Sequence, residues 1–152
     1  MLLMLVCGSL EGILVADYSR ALAGPLATML LGDLGADVIK VERKGVGDES
    51  RAWGPFVDGD SSYFLSVNRN KRSLELDLLD EGDRLAAQEL ARRADVVVEN
   101  FRPASWTASG LATTLSSGRT QASSTVQSRP SAPGVEHRIR ATISSSRRSA
   151  AS

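Results

Sequence analysis

The sequence predicts an α/β fold, a mostly parallel, Rossmann-like sheet flanked by helices. Two observations carry this. Apolar runs at 12–17, 37–42 and 95–98 read as strands buried on both faces, which need no polar alternation. Helical segments at 25–34 and 80–93 fall between them, and strands alternating with helices give parallel sheets with covered faces.

Each element follows from local chemistry. Gly12 opens the first strand, which runs to Asp17. Residues 18–24 form a loop broken by Ala23-Gly24-Pro25, and Pro25 suits a first helical turn because its missing N–H is not needed there. Leu26, Met29, Leu30 and Leu34 recur at helical spacing, and Gly35 is the natural left-handed cap. Val38, Ile39 and Val41 favour a strand, and right-handed crossover completes a βαβ unit. Arg43 ends that strand on the side where open α/β sheets bind ligands. Residues 44–48 read as a flexible turn and 49–63 as irregular, with 62–66 apolar enough to pack. Residues 68–72 are a polar, basic loop, and 73–77 alternate as a half-exposed strand does. The helix at 80–93 is expected to turn Leu85, Ala86 and Leu90 inward and Arg84, Glu89, Arg92 and Arg93 outward. Residues 99–103 form the loop after the last strand.

Composition divides the chain. Its net charge is zero, which gives no global case for nucleic acid or membrane binding. Residues 1–103 carry a balance of −5, whereas 104–152 carry +5 and hold 19 Ser and Thr in 49 residues. That composition predicts a disordered, coreless tail from about 106 onward. Residues 1–9 read as a ragged extension, because 1–7 are apolar but too short for a signal or a span. The domain division is therefore 1–9, 10–103 and 104–152. Cys7 reads as a small hydrophobe and fits a reducing, cytoplasmic location. His137, in the tail, reads as inert.

Three blocks then carry a resemblance: Leu-Ala-Gly-Pro-Leu-Ala-Thr-Met-Leu-Leu-Gly-Asp-Leu-Gly-Ala-Asp-Val-Ile-Lys-Val-Glu at 22–42, Ser-Val-Asn-Arg-Asn-Lys-Arg-Ser-Leu-Glu-Leu-Asp at 66–77, and Ala-Asp-Val-Val-Val-Glu-Asn-Phe-Arg-Pro at 94–103. In this order and spacing they resemble the N-terminal part of family III CoA-transferases, the group that includes formyl-CoA transferases. α-Methylacyl-CoA racemases share the first block but usually differ at the second and at Asn100-Phe101. The resemblance implies a CoA site lined by Arg43, Leu76, Asn100 and Phe101, partly through backbone. Leu79 stands where some members have a CoA-contacting lysine, and Leu22 where formyl-CoA transferase has glutamine. The loop at 19–23 corresponds to the family's active-site loop. Arg43, Lys71, Arg72, Asn100 and Phe101 also follow or flank strand ends, where a slot for phosphates would open.

The implied reaction moves CoA between an acyl-CoA and a carboxylic acid through an aspartyl intermediate. The resemblance puts that aspartate beyond the third block, so no residue here is assigned a catalytic or metal-binding role. The expectation is a chain truncated before its nucleophile and inactive alone. Alternatives are a non-catalytic remnant with weak CoA binding, or a racemase fragment. CoA and acyl-CoA are expected as substrates, with no tightly bound cofactor and no nucleic-acid or membrane partner. The family's interlocked homodimer is expected to be out of this fragment's reach.

The tail reads as a frameshift. Taken two nucleotides late with synonymous codons chosen freely, 105–114 gives Met-Asp-Arg-Leu-Gly-Leu-Gly-His-Asp, 122–132 gives an apolar strand ending in glycine, and 136–152 gives a segment containing Pro-Gly-Tyr-Asp. Each resembles the family's continuation.

Overall fold

The chain's structure, a computed structural model, describes residues 8–101, 110–111, 122–128 and 137–143, the last two stretches as backbone only. Strand β1 (Leu14–Asp17) is followed by helix α1 (Ala23–Asp33) and strand β2 (Asp37–Arg43). A 3-10 turn at Glu49–Ala52 leads to the short pair β3 (Phe56–Val57) and β4 (Asp60–Ser61), then to helix α2 (Ser62–Asn68). Strand β5 (Lys71–Leu76), helix α3 (Glu81–Arg93) and strand β6 (Val96–Glu99) complete the α/β unit. Strands β7 (Ala122–Ser128) and β8 (His137–Ile143) follow.

The main sheet has the order β5-β2-β1-β6-β8-β7. Its first four strands are parallel, with Val15 opposite both Val38 and Val96. The predicted fold class stands: a mostly parallel four-stranded core flanked by helices. Period-two alternation sorts the core into two layers. Ala16, Val41 and Val97 face one way, with Ala87 and Ala91 of α3. Val15, Val38 and Val98 face the other, with Leu31 of α1 against them. Gly35 takes φ 100°, the left-handed cap the sequence calls for.

Several expectations are corrected. Helix α1 starts at Ala23, so Pro25 is its third residue; its missing N–H is still one that no helical carbonyl would meet. Residues 62–68 are helical because Ser61 caps them, its Oγ accepting from the Phe64 amide, while Phe64 and Val67 are buried. Lys71 and Arg72 are strand residues, not loop, because Asn70 at φ 59° makes the turn before them. Helix α3 is rotated from the expected face. Leu85 is 57% exposed and Ala86 is also exposed, whereas Ala87 and Ala91 are buried and Leu90 is half-buried. Tyr18 accounts for this: it is buried in one cluster with Ala87 and Ala91, and its hydroxyl donates to the Ala87 carbonyl, which seats the alanine face of α3 on the sheet.

Most of the tail lies outside the described residues. Three short pieces of it are described beside the head, and the expectation of a coreless tail otherwise falls on residues outside the described ones. Leu111 is fully buried in the α3 layer. Strand β8 pairs antiparallel with β6, and β7 with β8. An unpaired β6 edge offers backbone donors and acceptors, and the Thr, Val and Ile of these segments suit strands. Among the described residues no helix is long and apolar enough to cross a membrane.

Candidate functional site

A cleft of about 580 Å³ opens at the carboxyl ends of the four parallel strands. Tyr18 and Arg20 enter it after β1, and Arg43, Lys44 and Val46 from the end of β2. Residues 76–79 line it beyond β5 and Phe101 beyond β6. Three of the four residues expected at a ligand site, Arg43, Leu76 and Phe101, therefore share one cavity. The fourth, Asn100, stands beside it: its Oδ1 accepts from the Arg20 amide at 3.0 Å and its Nδ2 donates to the Arg20 carbonyl at 2.9 Å. Leu79 reaches the cleft and is 89% exposed.

The loop after β1 is fixed at successive residues by different elements. Tyr18 N–H donates to the Val98 carbonyl at 2.8 Å. The Ser19 carbonyl accepts from Lys40 Nζ at 2.9 Å. Asn100 clasps Arg20, and the Ala21 amide leans on Asp48 Oδ1 at 3.4 Å. Ala21 sits at φ 64°, a conformation that costs a non-glycine residue energy, so these anchors hold strained backbone. Gly24 is required on packing grounds, since a Cβ there would collide with the Ser19 side chain.

Beneath the loop lies a layer of buried ion pairs. Asp17 is fully buried at the end of β1 and pairs with Lys71 Nζ at 3.0 Å. Its carboxylate also accepts from the Ser19 amide at 2.9 Å, the Ser19 hydroxyl, and Thr28 Oγ1 at 2.6 Å. Lys71 also donates to the Pro25 carbonyl and Asn68 Oδ1. Lys40 pairs with Asp48 at 2.8 Å. Glu42 accepts from Arg51 Nε and Nη2, the Ser73 hydroxyl and the Asp48 amide. Burial pushes the Lys71 ammonium down to about 8, against the pull of Asp17. Burial also works to raise the Glu42 and Asp48 carboxyls, but their cationic and hydrogen-bonding partners outweigh it and hold both below the ordinary range.

This corrects the placement of Lys71 and Arg72. The Lys71 amine is inside the protein on Asp17, unavailable to a ligand phosphate, and Arg72 pairs with Asp37 at 2.6 Å toward the other end of β2. The sequence reading missed Arg20 and Lys44 at the cleft. Lys44 carried a signal, since it adjoins Arg43 past a strand end. Arg20 carried only its place in the loop.

The cleft thus joins cations at Arg20, Arg43 and Lys44 to an apolar strip at Val41, Val46, Leu76 and Leu78. Such walls suit a long ligand with anionic groups on an apolar chain. The sequence matches the family model described as CoA-transferase family III over residues 10–117. It is 54% identical over 103 residues to succinyl-CoA:glutarate CoA-transferase of Mus musculus, covering 67% of this chain and 24% of that protein. Acetyl-CoA:oxalate CoA-transferase of Acetobacter aceti is 51% identical over 96 residues, covering 63% of this chain and 25% of that one. A CAIB/BAIF family protein from Brucella suis superposes with a TM-score of 0.65 at 43% identity, over 69% of this chain and 29% of that structure. The chain spans about a quarter of the length of the curated relatives it matches.

Proposed function

The chain belongs to CoA-transferase family III, and from that membership we propose that its cleft binds CoA thioesters in a reaction that moves CoA between an acyl-CoA and a carboxylic acid. The observation that carries this is the meeting of Arg43, Leu76 and Phe101 in one cavity at the strand ends. In this reading Arg43 and Lys44 contact phosphate, and Leu76 and Phe101 bound the apolar part of the ligand. Asn100 contributes at the rim through the loop it clasps. The named relatives are CoA-transferases, which favours transfer over the racemase alternative.

The chemistry proceeds by covalent catalysis. An aspartate carboxylate attacks the thioester carbonyl and expels CoA thiolate, leaving a mixed anhydride. The thiolate then attacks the aspartyl carbonyl of that anhydride, releasing the acyl group as a carboxylate and forming an aspartyl-CoA thioester. The acceptor acid reverses the sequence. Among the described residues the cleft's own carboxylates are both engaged, Glu42 by Arg51 and Asp77 by the Leu79 amide, and neither is assigned this role. The chain alone is therefore read as a CoA-binding portion without turnover, outside the family's interlocked dimer. Residues 104–152 are read as out of frame, on their change of composition at 103. The gene's nucleotide sequence tests that: restoring one frame across codons 103–106 must yield the three family-like segments.

Calorimetric titration of the purified chain with CoA tests the binding reading. Saturable binding weakened about tenfold or more by Arg43→Ala is expected, the loss of one charge-assisted contact. No saturable binding would overturn the reading. Exchange of CoA between succinyl-CoA and an acceptor acid by the chain alone would overturn the inactive assignment.

A further inference from the structure

We propose that Arg20 is an anion-binding residue of the cleft and that Asn100 acts on the ligand through Arg20, by setting its peptide. This rests on the CoA-binding reading and extends it to a residue outside the four assigned above. Three observations support it. First, the Asn100 side chain uses its acceptor and one donor on the Arg20 peptide itself, closing a reciprocal pair of bonds at 3.0 and 2.9 Å. A side-chain amide has one acceptor and two donors, so little of Asn100 is left for a ligand. Second, the Arg20 guanidinium carbon lies 4.8 Å from the Phe101 ring centroid. A guanidinium over an aromatic face keeps its N–H edge available for a two-oxygen anion. Third, no carboxylate among the described residues pairs with Arg20. Arg51, Arg69, Arg72, Arg92 and Arg93 each hold one. The exposed guanidinium thus projects into the cleft from a loop whose backbone is fixed by three other anchors, at Tyr18, Ser19 and Ala21.

The ligand chemistry is an oxyanion with two free oxygens on a CoA-linked molecule. Its source is either a CoA phosphate or the distal carboxylate of a dicarboxylic acyl group. Affinities of CoA, acetyl-CoA and succinyl-CoA for the full chain and for Arg20→Gln distinguish them. An equal loss of about tenfold or more on all three ligands assigns the contact to phosphate. A loss confined to succinyl-CoA assigns it to the distal carboxylate. Unchanged affinity for all three overturns the Arg20 assignment while leaving the CoA site intact. Failure of the wild-type chain to bind any of them overturns the CoA reading, and this proposal with it. Arg20→Lys keeps the charge without the fork, and only partial recovery is expected. Asn100→Ala is expected to weaken binding in the wild-type background and to cost nothing further in the Arg20→Gln background. An equal cost in both backgrounds would show Asn100 touching the ligand itself and overturn its positioning role.

Discussion

Replacing Lys71 by Met removes one half of a buried ion pair while keeping an unbranched side chain of similar length. Both partners' side chains are almost wholly inside the protein, at 2% and 0% exposure, and the Nζ–Oδ2 distance is 3.0 Å. Removing one member of such a pair leaves the other charged and buried, which costs about 3–5 kcal/mol. Asp17 keeps three donors, the Ser19 amide, the Ser19 hydroxyl and Thr28 Oγ1, which places its loss toward the lower end. The Pro25 carbonyl and Asn68 Oδ1 also lose a donor, which adds to the cost. The expected destabilisation is about 3–4 kcal/mol at pH 7. Urea unfolding followed by circular dichroism measures it as a fall in midpoint at constant slope. Adding Asp17→Asn removes the stranded charge, so the double variant should be more stable than Lys71→Met alone. Two results would refute the reasoning: a Lys71→Met cost below about 1 kcal/mol, or strictly additive losses in the double variant.

Alkaline pH tests the same lysine by another route. Folding lowers its pKa from 10.5 to about 8, so between those values the unfolded chain binds the extra proton. The Lys71 contribution to stability must then rise with pH across that window, and Lys71→Met should remove that part of the slope. On the acid side, folding lowers the pKa of Glu42 and Asp48, so their contribution is present above the ordinary carboxylate range. It is lost as pH falls through their folded values; Glu42→Gln should flatten the acid limb of a stability profile. Gly24→Ala should destabilise by about 1–3 kcal/mol through its collision with Ser19, measured by the same urea titration, and Ser19→Gly in that background should recover part of the loss.

The frame of this fold was legible because it rests on short-range patterns. Apolar runs announced β1, β2 and β6, alternation announced β5, and Gly35 marked the turn between α1 and β2. Arg43 and Phe101 could be placed together because parallel strands send their carboxyl ends to one edge, whereas Leu76 joined them only through the family resemblance. What escaped depends on contacts distant in sequence. Lys71 looked like a surface cation in a basic run, and only Asp17, 54 residues earlier, turns it into the interior. The seating of α3 on two alanines was hidden because periodicity favours the larger Leu85, while the space over Tyr18 is set by a different strand. Helix α2 was too short to leave a period. Arg20 gave no sign of its role because its clasp is 80 residues away at Asn100.

The strand order also bears on how the cleft assembles in time. Strand β1 meets β2 across one short helix, but it meets β6 across a loop in which Leu14 and Asp95 are 81 residues apart. Pairing over that distance requires the chain to lose loop entropy before any contact compensates it, which places β6 late in folding. Phe101 and Asn100 travel with β6, whereas Arg43 and the Lys40 anchor belong to the earlier β1–α1–β2 unit. The cleft's two walls therefore join after the β1–α1–β2 unit has formed and part before it unravels. A ligand spanning Arg43 and Phe101 fastens the early half to the late half, so its signature is slower unfolding at an almost unchanged folding rate.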